Sequence, residues 1–448
     1  MPLVPRFFAA LLLLLTTNAF AQSQAEIDSV RNAAHPLTGA ASDYDALLTA
    51  AGERRIVLLG EASHGTSEFY RERARITRRL IEEKRFRAIV LEANWSDVAR
   101  VDAYIRGAAD GDPLAGFTEF PVWMWRNAEF AALVRWLREF NRALPPNEPQ
   151  VRIYGLDLYA TVESIDALIA YLRETDLAAA QRAEQRYACF ASYRNDFNDY
   201  ARALQQSSRR SCQQQAAEQL EEMEARYAAS NRRDDRLFAA LQDARVVRSA
   251  EAFYRAAVTR GASTWNVRDT HMADTLDALI AHLDATDAPA RVALWAHNTH
   301  VGDARATDKP LRGEISIGQL VRDRWPGQSL HVGFSMYGGT VLAADDWGFP
   351  GQVKTLRPAI VASDAALFHA TGQRDFYVLT AEPSALAMER RQRAVGVVYR
   401  PNTELQSHYF WGIPVGQYDV MIHIDESHAV TPLNSWPMTA RRRAVRSR

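Results

Sequence analysis

Ile56-Val57-Leu58-Leu59-Gly60-Glu61-Ala62-Ser63-His64-Gly65 reads as a buried strand that runs straight into a polar loop. An apolar run without alternation fits a strand covered on both faces, the usual state of a parallel sheet. Ser67 to Phe86 follows with the spacing of an amphipathic helix of about five turns. Ala88-Ile89-Val90-Leu91 is then a second run of strand length. Strand, helix and strand at that spacing make a βαβ unit with a right-handed crossover. Val151 to Tyr154, Val292 to Trp295 and Leu330 to Phe334 read as further strands, and Val395 to Val398 and Tyr418 to Ile424 are strand-like. The fold class is therefore α/β, a mainly parallel sheet flanked by helices.

Between the third and fourth of these strands the character changes. From Thr161 to Asp284 there is no proline, glycine is nearly absent before Gly261, and Ala, Gln, Glu, Arg and Leu dominate. That composition favours helix and predicts a large all-helical insertion at 161–284. The α/β core would then comprise 22–160 and 285–436.

The chain has 448 residues, 47% hydrophobic and 24% charged, ordinary values for a folded protein with a sizeable core. A formal net charge of −1 gives no electrostatic reason to expect nucleic acid as a partner. At the amino end Phe7 to Leu15 is an unbroken apolar run, followed by Thr16-Thr17-Asn18 and then Ala19-Phe20-Ala21, a small-x-small cleavage pattern. The run is shorter than the roughly 20 residues that span a bilayer. Residues 1–21 are therefore expected to be a signal peptide cut after Ala21, leaving no transmembrane segment and a periplasmic or secreted protein. In such a compartment Cys189 and Cys212 are expected to pair. Arginines 441–443, 446 and 448 make 437–448 a basic tail, expected to be solvated and disordered.

The chemistry lies just past the strands. Glu61 and His64 follow the first, Glu92 and Asp157 end the second and third, and His297 and His300 follow the fourth. In open parallel sheets the ligand site lies outside the carboxyl ends of the strands. One polar residue there is ordinary; four strands delivering Glu, His, Asp and His to the same edge point to a site. A histidine titrates near neutral pH and can take a proton from water, with a carboxylate such as Glu61 orienting its ring. His297 and His300 would hold a carbonyl oxygen or protonate a leaving alkoxide. Gly60 stands one residue too far from Ser63 for a G-x-S-x-G nucleophile elbow, and Glu61 and His64 are not an H-E-x-x-H pair. Arg73, on the following helix, would pair with Glu92 or Glu68, and Arg268 with Asp269 would form an ion pair fixing the insertion. The aromatic segment Phe120 to Arg126 would either shape an apolar substrate pocket or fill core. His271, His282, His331, His369, His408, His423 and His428 lack a comparable context and are expected in core or at the surface.

Leu59 to Tyr70, Leu91 to Trp95, Gly155-Leu156-Asp157, Asn266 to Met272, Trp295 to His300 and Tyr418 to Asp425 together resemble the erythromycin esterase family. The likeness runs in consistent order along nearly all of the chain after residue 21. It implies a carboxylic ester or macrolactone hydrolase acting on a small-molecule substrate without a cofactor. His64 would be the general base, Glu61 its partner, His297 a further catalytic residue, and Glu92, His300, Arg73 and Asp157 substrate-binding. The wider EreA/ChaN-like superfamily includes metal-dependent and haem-binding members. Glu61, His64, Glu92, His297 and His300 would be the ligands of a metal-dependent hydrolase or peptidase, or of a non-catalytic periplasmic haem- or metal-binding protein. The family's resistance enzymes are usually cytoplasmic, so an exported relative leaves room for an ester or lactone other than a macrolide.

Overall fold

A computed structural model describes residues 22–206, 210–286 and 289–433. The signal peptide expected at 1–21 and the basic tail expected at 437–448 lie outside the described residues. The strands, in chain order, are β1 (His35–Pro36), β2 (Ile56–Leu59), β3 (Ala88–Asn94), β4 (Arg152–Asp157), β5 (Val292–Trp295), β6 (Ser329–Ala343), β7 (Gln352–Leu356), β8 (Asp375–Leu379), β9 (Arg390–Arg393), β10 (Tyr409–Gly412) and β11 (Val420–Ser427). The main sheet has the order β1-β8-β11-β6-β2-β5-β3-β4, with β7 paired to the far end of β6.

From β11 to β4 every neighbour pair is parallel. β8, β1 and β7 join antiparallel at the margins. The run Val395 to Val398 does not become a strand. Val395 and Val398 instead make isolated bridges to Ser63 and Ala344, and the Val395 N–H donates to the Ala62 carbonyl at 2.7 Å. That contact tethers the loop after β2 rather than extending the sheet.

Successive strand side chains point to opposite faces, and the central strands show it directly. Val57, Leu59, Ile89, Leu91, Ala293 and Trp295 join one core cluster. Ile56, Leu58, Ala88, Val90, Val292 and Leu294 join the other. The first face is covered by the helices Ser67–Lys84 and Ala128–Ala143. Phe69, Arg73, Ile76, Leu80 and Ile81 of the former are buried at helical spacing. Trp123 and Trp125, 4% and 5% exposed, belong to this same layer, so the aromatic segment fills core. The second face is covered in part by the helix Thr264–Thr286, through Met272, Leu276, Leu279 and Ile280.

Between β4 and β5 the described residues form helices only. Thr161–Thr175, Leu177–Tyr187, Phe197–Leu204, Gln213–Ala229 and Asp235–Ala256 share a separate core around Leu168, Ala180, Phe190, Tyr200 and Met223. The Cys189–Cys212 disulfide lies in it, with Cα atoms 6.0 Å apart, within the span a disulfide bridges. Helix 264–286, although sequence-adjacent to these, is part of the sheet layer. No helix among the described residues is long and apolar enough to cross a membrane.

Candidate active site

The loop after β2 is shaped by close packing. A Cβ at Gly60 would collide with the Asn298 amide and crowd the Val332 carbonyl, and one at Gly65 would run into the Leu342 backbone. Glycine at both ends lets the chain turn against these groups. The Asn298 N–H donates to the Glu61 carbonyl at 2.8 Å, joining this loop to the one after β5. The Tyr70 hydroxyl lies 3.0 Å from the His64 carbonyl and 2.6 Å from that of Met124.

Glu61 is fully buried and both its oxygens are engaged. Oε1 lies 2.7 Å from His64 Nδ1, and Oε2 accepts from Arg73 Nη2 at 2.5 Å. A carboxylate at Nδ1 fixes the proton there and leaves Nε2 as the basic nitrogen. His64 Nε2 has no hydrogen-bond partner among the described residues and is not sealed off. Arg73 is itself fully buried, its guanidinium 4.7 Å from the Tyr70 ring centre and 4.5 Å from that of Trp295. The expected pairing of Arg73 with Glu92 or Glu68 is not made. Glu61 is its partner, and Arg73 stands behind that carboxylate rather than beside a substrate.

His297 faces His64, with ring centres 5.0 Å apart. As the N-cap of the short turn Asn298–Val301 it accepts the Thr299 N–H at Nδ1. An accepting Nδ1 leaves the ring proton on Nε2, and that atom is buried without a partner. The Ala62 carbonyl is near enough to favour a proton on the ring yet does not meet hydrogen-bond geometry at Nε2. Burial, reinforced by His64, holds the His297 pKa well below its ordinary value, so the ring is neutral. A neutral N–H with only the poorly aligned Ala62 carbonyl beside it is a donor open to another acceptor.

Beyond His297 lies a charged network. Glu92 Oε2 accepts the His297 backbone N–H at 2.7 Å, and Oε1 accepts from Arg268 Nη2 at 2.8 Å. Arg268 also grips Asp157, from Nε at 2.9 Å and from Nη2 at 2.5 Å. His300 sets Nδ1 against Asp269 at 2.9 Å, while its Nε2 lies 2.9 Å from Arg268 Nη1 and 3.3 Å from Glu92 Oε1. Those two Nε2 contacts cannot both be hydrogen bonds of one protonation state. A neutral ring accepts from Arg268; a charged ring donates to Glu92.

Charge balance decides for the charged ring. Glu92, Asp157 and Asp269 are buried and the group holds one guanidinium, so a proton on His300 removes part of the excess negative charge. Burial opposes that proton, but Asp269 and Glu92 outweigh it and raise the His300 pKa to about 9. Glu92, despite its burial, is held well below the usual carboxylate range by His300 and Arg268. The His300 pKa is above its unfolded value of about 6.5. Its stabilisation is therefore complete below that pH and lost as pH rises through about 9. Urea titrations at pH 6 and pH 10 should show a pH-linked loss of stability of about 3 kcal/mol that His300→Gln lacks. Equal pH slopes for both proteins would contradict a charged His300.

Six of the sequence candidates meet here: Glu61, His64, Glu92, Asp157, His297 and His300. The expected Arg268–Asp269 pair does not form; each turns to its own side-chain partner, and both belong to the site network. Trp265 and Lys309 were not anticipated. Trp265 lies flat on His300, centres 4.3 Å apart at 3°, and Lys309 Nζ sits 3.4 Å over the indole. The helical spacing of Trp265, Arg268, Asp269 and Met272 carries that signal, since such residues share one helix face. Of the other histidines, His271, His282, His331, His408 and His423 are buried and His369 and His428 are exposed. Ser63 is buried, its hydroxyl 2.5 Å from that of Thr66. Among the described residues no group of three or more His, Cys, Asp or Glu side chains is arranged to hold a metal ion. Of the alternative ligand set, Glu61 is engaged by Arg73, Glu92 by Arg268, and His300 by Asp269.

The fold and the site together define an α/β protein that carries a histidine–carboxylate pair and a second histidine at the carboxyl ends of its parallel strands. A family model described as erythromycin esterase matches residues 81–427, and the chain belongs to that family. The match starts after Glu61, His64 and Arg73. An Escherichia coli erythromycin esterase type I is 22% identical over 72% of this chain and 79% of its own length. A type II enzyme from the same organism is 27% identical, over 26% of each chain. Among solved structures, a Bacillus cereus protein superposes with a TM-score of 0.75 at 19% identity, covering 92% of this chain and 98% of that one. A histidine-to-asparagine mutant of the erythromycin esterase EreC, in its open conformation, gives 0.65 at 18% identity, covering 88% and 96%. At those identities the structural likeness speaks for the fold, and the family supports esterase-type hydrolysis.

Proposed function

We propose that the chain hydrolyses a carboxylic ester or lactone with water activated by His64. The observation that carries this reading is the His64 ring, clamped to Glu61 through Nδ1 with Nε2 unengaged, and its centre 5.0 Å from that of His297, whose Nε2 has no hydrogen-bond partner among the described residues. His64 Nε2 takes a proton from water as the oxygen adds to the carbonyl carbon, and Glu61 stabilises the imidazolium. The oxyanion accepts from His297 Nε2–H, which makes no well-aligned hydrogen bond among the described residues. When the tetrahedral intermediate collapses the C–O bond breaks, and the alkoxide takes the proton back from His64. The products are a carboxylic acid and an alcohol. Glu92, Asp157 and His300 bind the substrate's polar groups, directly or by orienting the Arg268 guanidinium.

The family suggests macrolactones, erythromycin included, as the first substrates to try. Export, proposed from Phe7 to Leu15 and Ala19-Phe20-Ala21, places the reaction outside the cytoplasm. The test is turnover of a panel of simple esters and macrolactones by the mature protein and His64→Ala, each with and without chelator. Hydrolysis that disappears in the variant and survives the chelator supports the proposal. Activity indifferent to His64, or lost to chelator and restored by a metal, would replace it with the metal-dependent alternative.

A further inference from the structure

We propose that a groove at the amino ends of β3 and β4 is a second binding site, for a phosphate-bearing small molecule with a flat ring. Two adjoining cavities form it. One, of about 220 Å³, is walled by Trp95, Tyr154, Phe238 and His282. The other, of about 320 Å³, is lined by Arg85, Arg87, Arg233 and Arg291. Arg106, Arg152 and Asp235 line both. β4 carries Arg152 at this groove and Asp157 at its other end, about 17 Å apart along the strand, so the groove lies at the opposite strand ends from the network that holds Asp157.

The ring pocket is preformed. His282 lies flat against Phe238, centres 4.1 Å apart at 2°, and is pinned by the Tyr227 hydroxyl at 2.8 Å and Asp235 at 2.9 Å. Trp95 stacks on Tyr154 at 5.8 Å and 19°. The Tyr154 hydroxyl is buried and has no partner among the described residues. A buried hydroxyl left unpaired costs free energy, and here its side chain lines a cavity.

The arginines have a structural task that does not exhaust them. Two helices, Ser67–Lys84 and Thr264–Thr286, end at this edge, and their last carbonyls attract cations. Arg291 Nη1 meets the Lys84 carbonyl at 3.2 Å, Arg87 Nη1 that of Ile81 at 3.5 Å, and Arg233 Nε that of Ala285 at 2.9 Å. Asp102 accepts from Arg106 Nε at 2.9 Å and Arg152 Nε at 3.0 Å, and Asp235 from Arg152 Nη1 at 2.7 Å. After these contacts both Nη groups of Arg106 and Arg233, Nη2 of Arg152 and the whole Arg85 guanidinium remain unpartnered among the described residues. A single carboxylate occupies one guanidinium fork; several forks around one groove suit a group with three acceptor oxygens and more than one negative charge.

Calorimetric titration with adenosine 5′-monophosphate, adenosine and inorganic phosphate tests the proposal. The nucleotide should bind once per chain, about tenfold or more tighter than either fragment. Arg85→Gln with Arg233→Gln, both exposed positions, should weaken it about tenfold while the protein stays folded by circular dichroism. His64→Ala should bind it as the wild type does, which separates this groove from the hydrolytic site. No saturation below about 10 mM, affinity indifferent to the paired arginine change, or affinity lost in His64→Ala would overturn the proposal. Phosphate matching the nucleotide would overturn its ring component.

Discussion

Ester turnover by His64→Asn is expected to fall about a thousandfold, within the range for removal of a positioned general base. Asparagine is the informative replacement because its side-chain amide can still donate to Glu61 Oε1, where His64 Nδ1 now sits at 2.7 Å. The buried carboxylate stays satisfied while the basic Nε2 disappears. The loss should fall on kcat, because the ring acts on water in the transition state rather than on bound substrate. His297→Ala should lower kcat less steeply, by the value of one oxyanion donor, about a hundredfold. An asparagine variant within tenfold of wild type, folded by circular dichroism, would remove His64 from the chemistry.

The second large effect is on stability. Arg73→Met is expected to cost about 4 kcal/mol, the range for breaking a buried ion pair from one side. Glu61 has no exposure, and Arg73 is its only permanently charged partner among the described residues. Removing the guanidinium leaves a carboxylate in a desolvated site with His64 alone. Methionine keeps most of the stem volume between Tyr70 and Trp295, so the loss reads the charge rather than a cavity. Adding Glu61→Gln should return a large share of the stability, because the uncompensated charge goes with it. Urea unfolding measures both proteins. A single variant within 1 kcal/mol of wild type, or a double variant no better than the single, would show that the pair is not what holds this corner.

The fold was legible where burial is uniform. β2 to β5 are short, mostly apolar runs with a charged or imidazole residue at or within two positions of the last apolar one, and both signals survive without knowledge of neighbours. Strand order was not legible, since nothing in Val292 to Trp295 announces a place between β2 and β3. Val395 to Val398 has strand composition, but its neighbours bind it only at two isolated positions, so composition overstated it. Glu61, His64, Glu92, Asp157, His297 and His300 were visible because each sits at the end of a readable strand. Arg73 was visible as a residue but not as a partner: helical spacing names the buried face and not what it meets. Trp265 and Lys309 escaped because they reach the site from a helix end and a short 3₁₀ turn, where no strand pattern points. The arginine groove escaped for a similar reason, its members being scattered from Arg85 to Arg291.

The position of β5 also bears on how the chain is made. β2 and β3 each pair with β5 and not with each other, yet β5 follows the whole helical segment in sequence. On the ribosome the two early strands emerge long before the strand that joins them. Until Val292 to Trp295 arrives, the nascent sheet lacks its middle strand, and Glu92 and Asp157 also wait for Arg268, which comes only shortly before. The acid–base pocket therefore cannot close before β5 is made, and β6 and β11, which build the sheet on the other side of β2, follow later still. A stalled or truncated nascent chain ending before residue 290 would therefore carry much of the helical bulk and none of the completed pocket.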